Sequence, residues 1–265
     1  TMLEDEGQSG FAPEYLETLA LLRKVAEVLP EKDGFLMHGA VIQWKDKAYM
    51  FTAPSGTGKT THIRLWRKYL GQGVSIINGD KPFIRIVDDC VRIYGTPWAG
   101  KEGWQNNKNA PLGGICIIER GTECGIRKLD SKEAIPYLLG QIHFGDSSAQ
   151  AGKTLELLDV LIKKVPVYIL NCDISEHAVR TSYEAMTGEK YREYVGLTSI
   201  EKITEINRKL SIEEEGVPAV SLSVGVAFTD RKNLGKSQFT DADKALYYTK
   251  GHGKCGCSFY PVEEK

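Results

Sequence analysis

Apolar residues recur at helical spacing near the start of the chain. Leu16, Leu19, Leu22, Val25, Ala26 and Leu29 fall on one face, and Pro30 and Gly34 close the run. The next stretch, FLMHGAVIQWKDKAYMFTA, is β-rich on both sides of Lys45-Asp46-Lys47, which predicts a hairpin. Its second strand, residues 48–52, runs straight into a glycine-rich loop, and a helix is expected over residues 59–70. GVSIINGDKPFIRIVDDCVRIYG then reads as strands and turns, and GGICIIER as a further apolar strand. SKEAIPYLLGQIHFG and AGKTLELLDVLIKKV read as helices, with Pro136 placed to kink or break the first. PVYILNCD reads as a strand. SEHAVRTSYEAMTG reads as a helix, with Ser175 as N-cap and Gly188 as C-cap.

A second unit is expected to begin within residues 189–197. SIEKITEINRKLSIEEE puts Ile200, Ile203, Ile206 and Leu210 in phase for an amphipathic helix. AVSLSVGVAF alternates large and small residues at a strand period; DADKALYYTKG reads as a short helix and CSFY as a final strand. The chain therefore divides into residues 1–190 and 191–265, with no internal repeat or low-complexity tract.

Composition narrows this little. The 265 residues suffice for one large domain, or one domain with a smaller companion. A net charge of -1 argues against a nucleic-acid binder, although a local basic patch stays open. No apolar run reaches the roughly 20 residues that span a bilayer. The opening TMLEDEGQSG is acidic and polar, unlike a secretory leader. Cys90, Cys116, Cys124, Cys172, Cys255 and Cys257 form no CxxC pair, which argues against zinc. The expectation is a reduced, cytoplasmic protein.

Candidate chemistry is concentrated in APSGTGKTT. Phosphates are bound by backbone N–H groups, a helix N-terminus and an ammonium, and this loop offers all three. Pro54, Ser55, Gly56, Thr57, Gly58, Lys59, Thr60 and Thr61 are the candidate nucleotide contacts. Lys59 suits the β- and γ-phosphates, and the Thr60 hydroxyl suits Mg²⁺. Ala53 stands where such loops usually begin with glycine; alanine is small enough unless φ there is positive. A glycine turn before an ordinary helix is the plain alternative. Phosphoryl transfer also needs a carboxylate for metal or proton, and Asp80, after the strand VSIIN, is the candidate. In NGDKP it also suits a simple turn. His38 fits either a phosphate- or substrate-facing role or a hydrogen-bonded turn.

HGAVIQW, APSGTGKTT, NGDKP and GTPW together resemble the HPr kinase/phosphorylase-like serine kinases, whose nucleotide core is shared with phosphoenolpyruvate carboxykinase. The resemblance covers roughly residues 34–188. It implies an α/β, P-loop-containing, carboxykinase-like core followed by a small α+β appendage. It also implies an ATP·Mg²⁺-dependent kinase acting on a hydroxyl acceptor, with Lys59, Asp80 and His38 as catalytic candidates. Two departures stand out: Gly79-Asp80 replaces the family's paired aspartates, and the HPr-kinase signature is missing, with only a loose echo in GGICIIERG. Within YGTPWAGKEGWQNN and nearby, Arg85, Trp98, Lys101 and Glu102 are acceptor-site candidates, or else a polar loop around a buried tryptophan.

PAVSLSVGVAF and DADKALYYTKGHGKCGCSFY resemble the C-terminal half of a GGDEF (diguanylate cyclase) domain, over about residues 197–260. The GGDEF segment itself is absent, so no cyclase activity is expected. A half-domain leaves strand edges to cover, which suggests docking or a homodimer. A non-catalytic ATP-sensing module whose tail mediates docking or dimerisation is the alternative function.

Overall fold

The computed structural model describes residues 13–211, 220–228, 235 and 237–261. The acidic opening segment and the IEEE end of the predicted second-unit helix lie outside the described residues. The chain divides into two compact units, Thr1–Gly188 and Glu189–Lys265.

The first unit begins with α1 (Pro13–Val28), then β1 (Gly34–Leu36), β2 (Ala40–Trp44) and β3 (Lys47–Thr52). The run FLMHGAVIQW, read as one strand, is two. β1 pairs with a later strand, whereas β2 forms the expected hairpin with β3. The break falls at Gly39, where a Cβ would stand 2.4 Å from Met50 Cε and 2.9 Å from Phe51 O. Only glycine lets the chain pass there and change neighbours.

The glycine-rich loop leads into α2 (Lys59–Leu70), followed by β4 (Val74–Asn78), β5 (Phe83–Val87) and β6 (Cys90–Tyr94). Asp88 and Asp89 join β5 to β6 with φ of 49° and 61°, the two left-handed residues that a tight hairpin turn requires. β7 (Asn109–Arg120) and β8 (Gly125–Lys128) come next, then α3 (Ser131–Leu139), α4 (Ser148–Lys164), β9 (Val167–Cys172) and α5 (Glu176–Thr187). Both α3 and α4 open with a reciprocal capping box, Asp130 with Glu133 and Ser147 with Gln150. Pro136 lies inside α3, which runs on through it for three more residues. Ser175 caps α5, and Gly188 ends it in the left-handed conformation at φ 75°, as its composition predicts.

The sheet order is β1-β5-β6-β7-β3-β2-β4, with β9 beside β7 and β8 beside β9. β3, β7 and β9 are parallel neighbours. β2 is antiparallel to both β3 and β4, so β4 runs the same way as β3. Four strands thus deliver their carboxyl ends to one edge. Alternation along β3 separates two cores. Ala48 and Met50 join the apolar cluster that contains Leu138, Leu157 and Leu161 of α3 and α4. Tyr49 and Phe51 face α2, where both rings contact Trp66, which in turn contacts Tyr183 of α5. The architecture is α/β, a mixed sheet between two helical layers.

The second unit contains α6 (Tyr191–Leu210), β10 (Ser223–Ala227), α7 (Gln238–Gly251) and β11 (Gly256–Tyr260). β10 and β11 pair in parallel. Gly225 allows α7 to press on β10, since a Cβ there would meet Ala242 O and Leu246 N at 2.2 Å. The predicted amphipathic face is corrected: Ile203 is buried, but Ile200, Ile206 and Leu210 are exposed. The second buried position is Asn207, whose side chain brackets Leu222 at both its N–H and its C=O. Among the described residues, no helix is long and apolar enough to cross a membrane.

Candidate active site

The loop between β3 and α2 has the dihedrals its glycines predict. Gly56 and Gly58 take φ of 77° and 125°, with nothing near either Cβ position, so backbone conformation requires the glycines there. Ala53 is buried and is not among the residues of positive φ, so alanine costs nothing at the loop's first position. Thr57 closes the turn with its N–H and hydroxyl on Pro54 O, at 3.3 and 2.9 Å. Pro54 and Ser55 are exposed; Thr60 and Thr61 lie on the first turn of α2.

Lys59 is buried beneath this loop. Its Nζ donates to Ala53 O at 2.8 Å and Pro54 O at 3.1 Å. Burial pulls the ammonium down from 10.5 to about 8, against the opposing pull of Asp80. Arg120, at the end of β7, clamps the loop from the other side: Nε donates to Thr57 O at 2.9 Å, and Nη2 donates to Gly56 O.

Asp80 follows β4 in a turn built by Asn78. The Asn78 side-chain oxygen accepts from the N–H groups of Asp80 and Lys81 at 2.9 and 2.8 Å, and its amide donates to Thr96. Such an Asx turn fixes where the next carboxylate points. Asp80 Oδ1 accepts from His38 Nε2 at 3.1 Å, and Lys81 Nζ lies 3.7 Å from Oδ2. Burial pushes the carboxyl up, but the His38 hydrogen bond and the charges of His38, Lys81 and Lys59 outweigh it. The net effect holds Asp80 below the ordinary carboxylate range.

His38 is itself buried, between β1 and β2. Its Nδ1 meets the Gln141 side-chain amide at 3.0 Å, and its backbone N–H donates to Gln141 O at 2.7 Å. The His38 carbonyl accepts from the Thr52 hydroxyl, and Gly39 N–H donates to Asp80 O. The histidine segment is thereby tied to both β3 and the aspartate turn.

Gly79 cannot be replaced in place. A Cβ would stand 2.7 Å from Ala99 O, so the second aspartate seen in the resembling family has no room here. The loop after β6 crosses over the site: a Cβ on Gly100 would lie 3.2 Å from Asp80 Cβ.

The four acceptor-site candidates are scattered. Glu102 pairs with Arg64 of α2 at 3.3 Å, and that guanidinium lies over the Trp104 ring. Lys101 is exposed in the same loop. Trp98 donates its indole N–H to Thr18 O of α1 and packs with Phe83 against Leu22, Ala26 and Leu36. Arg85 donates to Lys32 O from β5 and approaches the Tyr94 ring. The fold thus brings Asp80 into contact with His38 and near Lys59, which Thr60 follows in α2, while Trp98 and Arg85 brace α1 and the turn after it.

Sequence reasoning missed Arg120, Asn78 and Gln141. Arg120 carried a signal, since it ends an apolar strand, but only strand order places it at the loop. Gln141 lies 103 positions from His38 and carried none.

No group of three or more metal-ligating side chains occurs among the described residues. Mg²⁺ is commonly held by one or two protein oxygens plus phosphates and water, so this count bears neither for nor against it. Thr60 and Asp80 are the donors this site offers.

No family model and no curated protein matches the sequence. Among solved structures, the Hpr(Ser) kinase/phosphatase from Coxiella burnetii is similar over 58% of this chain and 93% of its own. The identity is 11% and the TM-score 0.33, and a likeness that distant identifies neither a family nor an activity.

Proposed function

We propose that this chain binds a nucleoside triphosphate at residues 53–61 and transfers its terminal phosphoryl group to a hydroxyl acceptor. The observation that carries the reading is the convergence of Lys59 and Asp80 at the shared carboxyl edge of β3 and β4. Ligands of open α/β sheets collect at that edge.

In this reading Lys59 exchanges its two loop carbonyls for phosphate oxygens and stabilises the charge of the transferred group. Thr60 and Asp80 would hold Mg²⁺, which would supply charge neutralisation at the phosphates. The acceptor O–H bond breaks, its oxygen bonds to the γ-phosphorus, and the bond to the β-phosphate oxygen breaks. Asp80, kept ionised by His38 and the neighbouring ammonium groups, takes the proton. In this reading the core follows the carboxykinase-like P-loop type, and the tail expected from residue 191 corresponds to the unit that begins at Glu189.

A thermal-shift panel of nucleotides with and without Mg²⁺ tests the binding step. Ligand at a hundred times its dissociation constant stabilises a folded protein by about 2.7 kcal/mol. Product assays with hydroxyl acceptors test the transfer; nucleotide binding without turnover on any acceptor removes it.

That outcome would favour a second reading, an ATP sensor whose GGDEF-like tail docks or dimerises. The specific observation behind it is the single carboxylate at Asp80, with no room for a partner at Gly79.

A further inference from the structure

A cavity of about 360 Å³ opens beside the glycine-rich loop, between α2 and the ends of β7 and β9. We infer that it receives the nucleoside end of the nucleotide, with the flat base against Leu65, Ile118 and Ile174 and the ribose at Asp173. The inference rests on the nucleotide reading above and adds direction and contacts to it.

Strand order supplies the direction. Along the sheet edge the sequence of strands is β9, β7, β3, β2, β4. The glycine-rich loop leaves β3, in the middle. Asp80 and His38 stand on the β4 side, so the reacting phosphate belongs there. A phosphate chain that crosses the loop from that end must emerge on the opposite side, toward β7 and β9. The cavity lies there, with Gly58 and Thr61 of the loop and first helical turn in its wall.

Its chemistry fits a nucleoside better than another phosphate. Ile174, 75% exposed, stands at the rim and offers the cavity an apolar side chain. Leu65 and Ile118 form the other apolar wall. His62 contributes an aromatic ring; its Nε2 contacts Ser182 Oγ and Trp66 Nε1, while Nδ1 bonds no described residue. The ring is almost fully buried and stays neutral, its pKa lowered to about 4 by desolvation. Asp173 uses Oδ1 for Ser175, which leaves Oδ2 for hydroxyl donors. A carboxylate at the rim repels phosphate and accepts from ribose. Arg120, the only cationic side chain lining the cavity among the described residues, is engaged with the loop carbonyls.

The test compares ATP with inorganic tripolyphosphate by calorimetry, on the wild-type chain and on Ile174→Ala. Ile174 is exposed and outside the phosphate loop, so the fold and the polyanion contacts persist in the variant. The expected result is tighter binding of ATP than of tripolyphosphate, with the variant losing roughly tenfold for ATP alone. An independent arm maps the peptide labelled by 8-azido-ATP, expected within residues 118–121 or 172–174. Equal affinity for the two ligands, or label confined to the Asp80 side, overturns the inference while leaving the phosphate site standing. Failure of both ligands to bind removes the nucleotide reading itself.

Discussion

His38 Nε2 lies 3.1 Å from Asp80 Oδ1, although 42 positions separate the two residues in the chain. The pair lies beside Lys59, so one ionised carboxylate stands among an imidazole and two lysines. A substitution at Asp80 therefore separates binding from chemistry.

Asp80→Asn keeps the size and most hydrogen bonds of the side chain but removes its charge and proton affinity. Turnover should fall by about a hundredfold or more, while nucleotide affinity measured without Mg²⁺ changes only a few-fold. Steady-state product release beside calorimetric titration separates the two effects. Undiminished turnover would exclude Asp80 as the proton acceptor.

Lys59→Ala should abolish nucleotide binding, and in the unmodified protein affinity should depend on pH. The ammonium titrates at about 8, and phosphate binds its protonated form. Affinity is therefore full below pH 8 and falls as pH rises beyond it, by up to about tenfold per unit while one proton is taken up on binding. A flat titration between pH 7 and 9.5 would contradict this.

His62 makes the fold acid-sensitive. Its ring takes a proton near 6.5 in the unfolded chain but only near 4 in the folded one, because burial opposes the charge. Between those values the unfolded state binds more protons, so stability is full above 6.5 and declines as pH falls toward 4. The loss is on the order of 3 kcal/mol. Urea unfolding of His62→Gln across that interval should show a flatter profile than the parent, whatever its absolute stability.

Gly79→Asp installs the second carboxylate of the resembling kinases. Its Cβ would collide with Ala99 O, so the loop over Asp80 must shift. A destabilisation of about 1–3 kcal/mol is expected, visible as a lower Tm. A variant as stable as the parent would show that the loop yields freely.

The conformation of the glycine-rich loop was legible along the chain because its parts are local. A strand, two glycines, Lys59 and a helix start within a dozen residues, and α2 occupies the residues its periodicity predicts. Asp80 was legible for the same reason, as the carboxylate after the next strand. Misreadings arose where contact partners are distant. The run from Phe35 to Trp44 read as one strand because nothing in it announces that Gly39 must slip past Met50 and Phe51. The apolar phase of α6 pointed to Ile206 and Leu210, but the buried face is set by Ile203 and the bracket from Asn207 to Leu222. For Trp98 the chain left an acceptor-site role and a packed loop tryptophan both open; its packing against α1 comes from contacts far along the chain.

The sequence by itself determined most of the elements and the conformation of the glycine-rich loop, because helix periodicity, caps and glycine dihedrals act over a few residues. Only the tertiary structure decided which groups face that loop. Strand order brings Arg120 and the cavity to one side and His38, Gln141 and Asp80 to the other. Pairing between strands is settled by the burial of whole faces across long chain separations, and no local stretch of sequence encodes that burial.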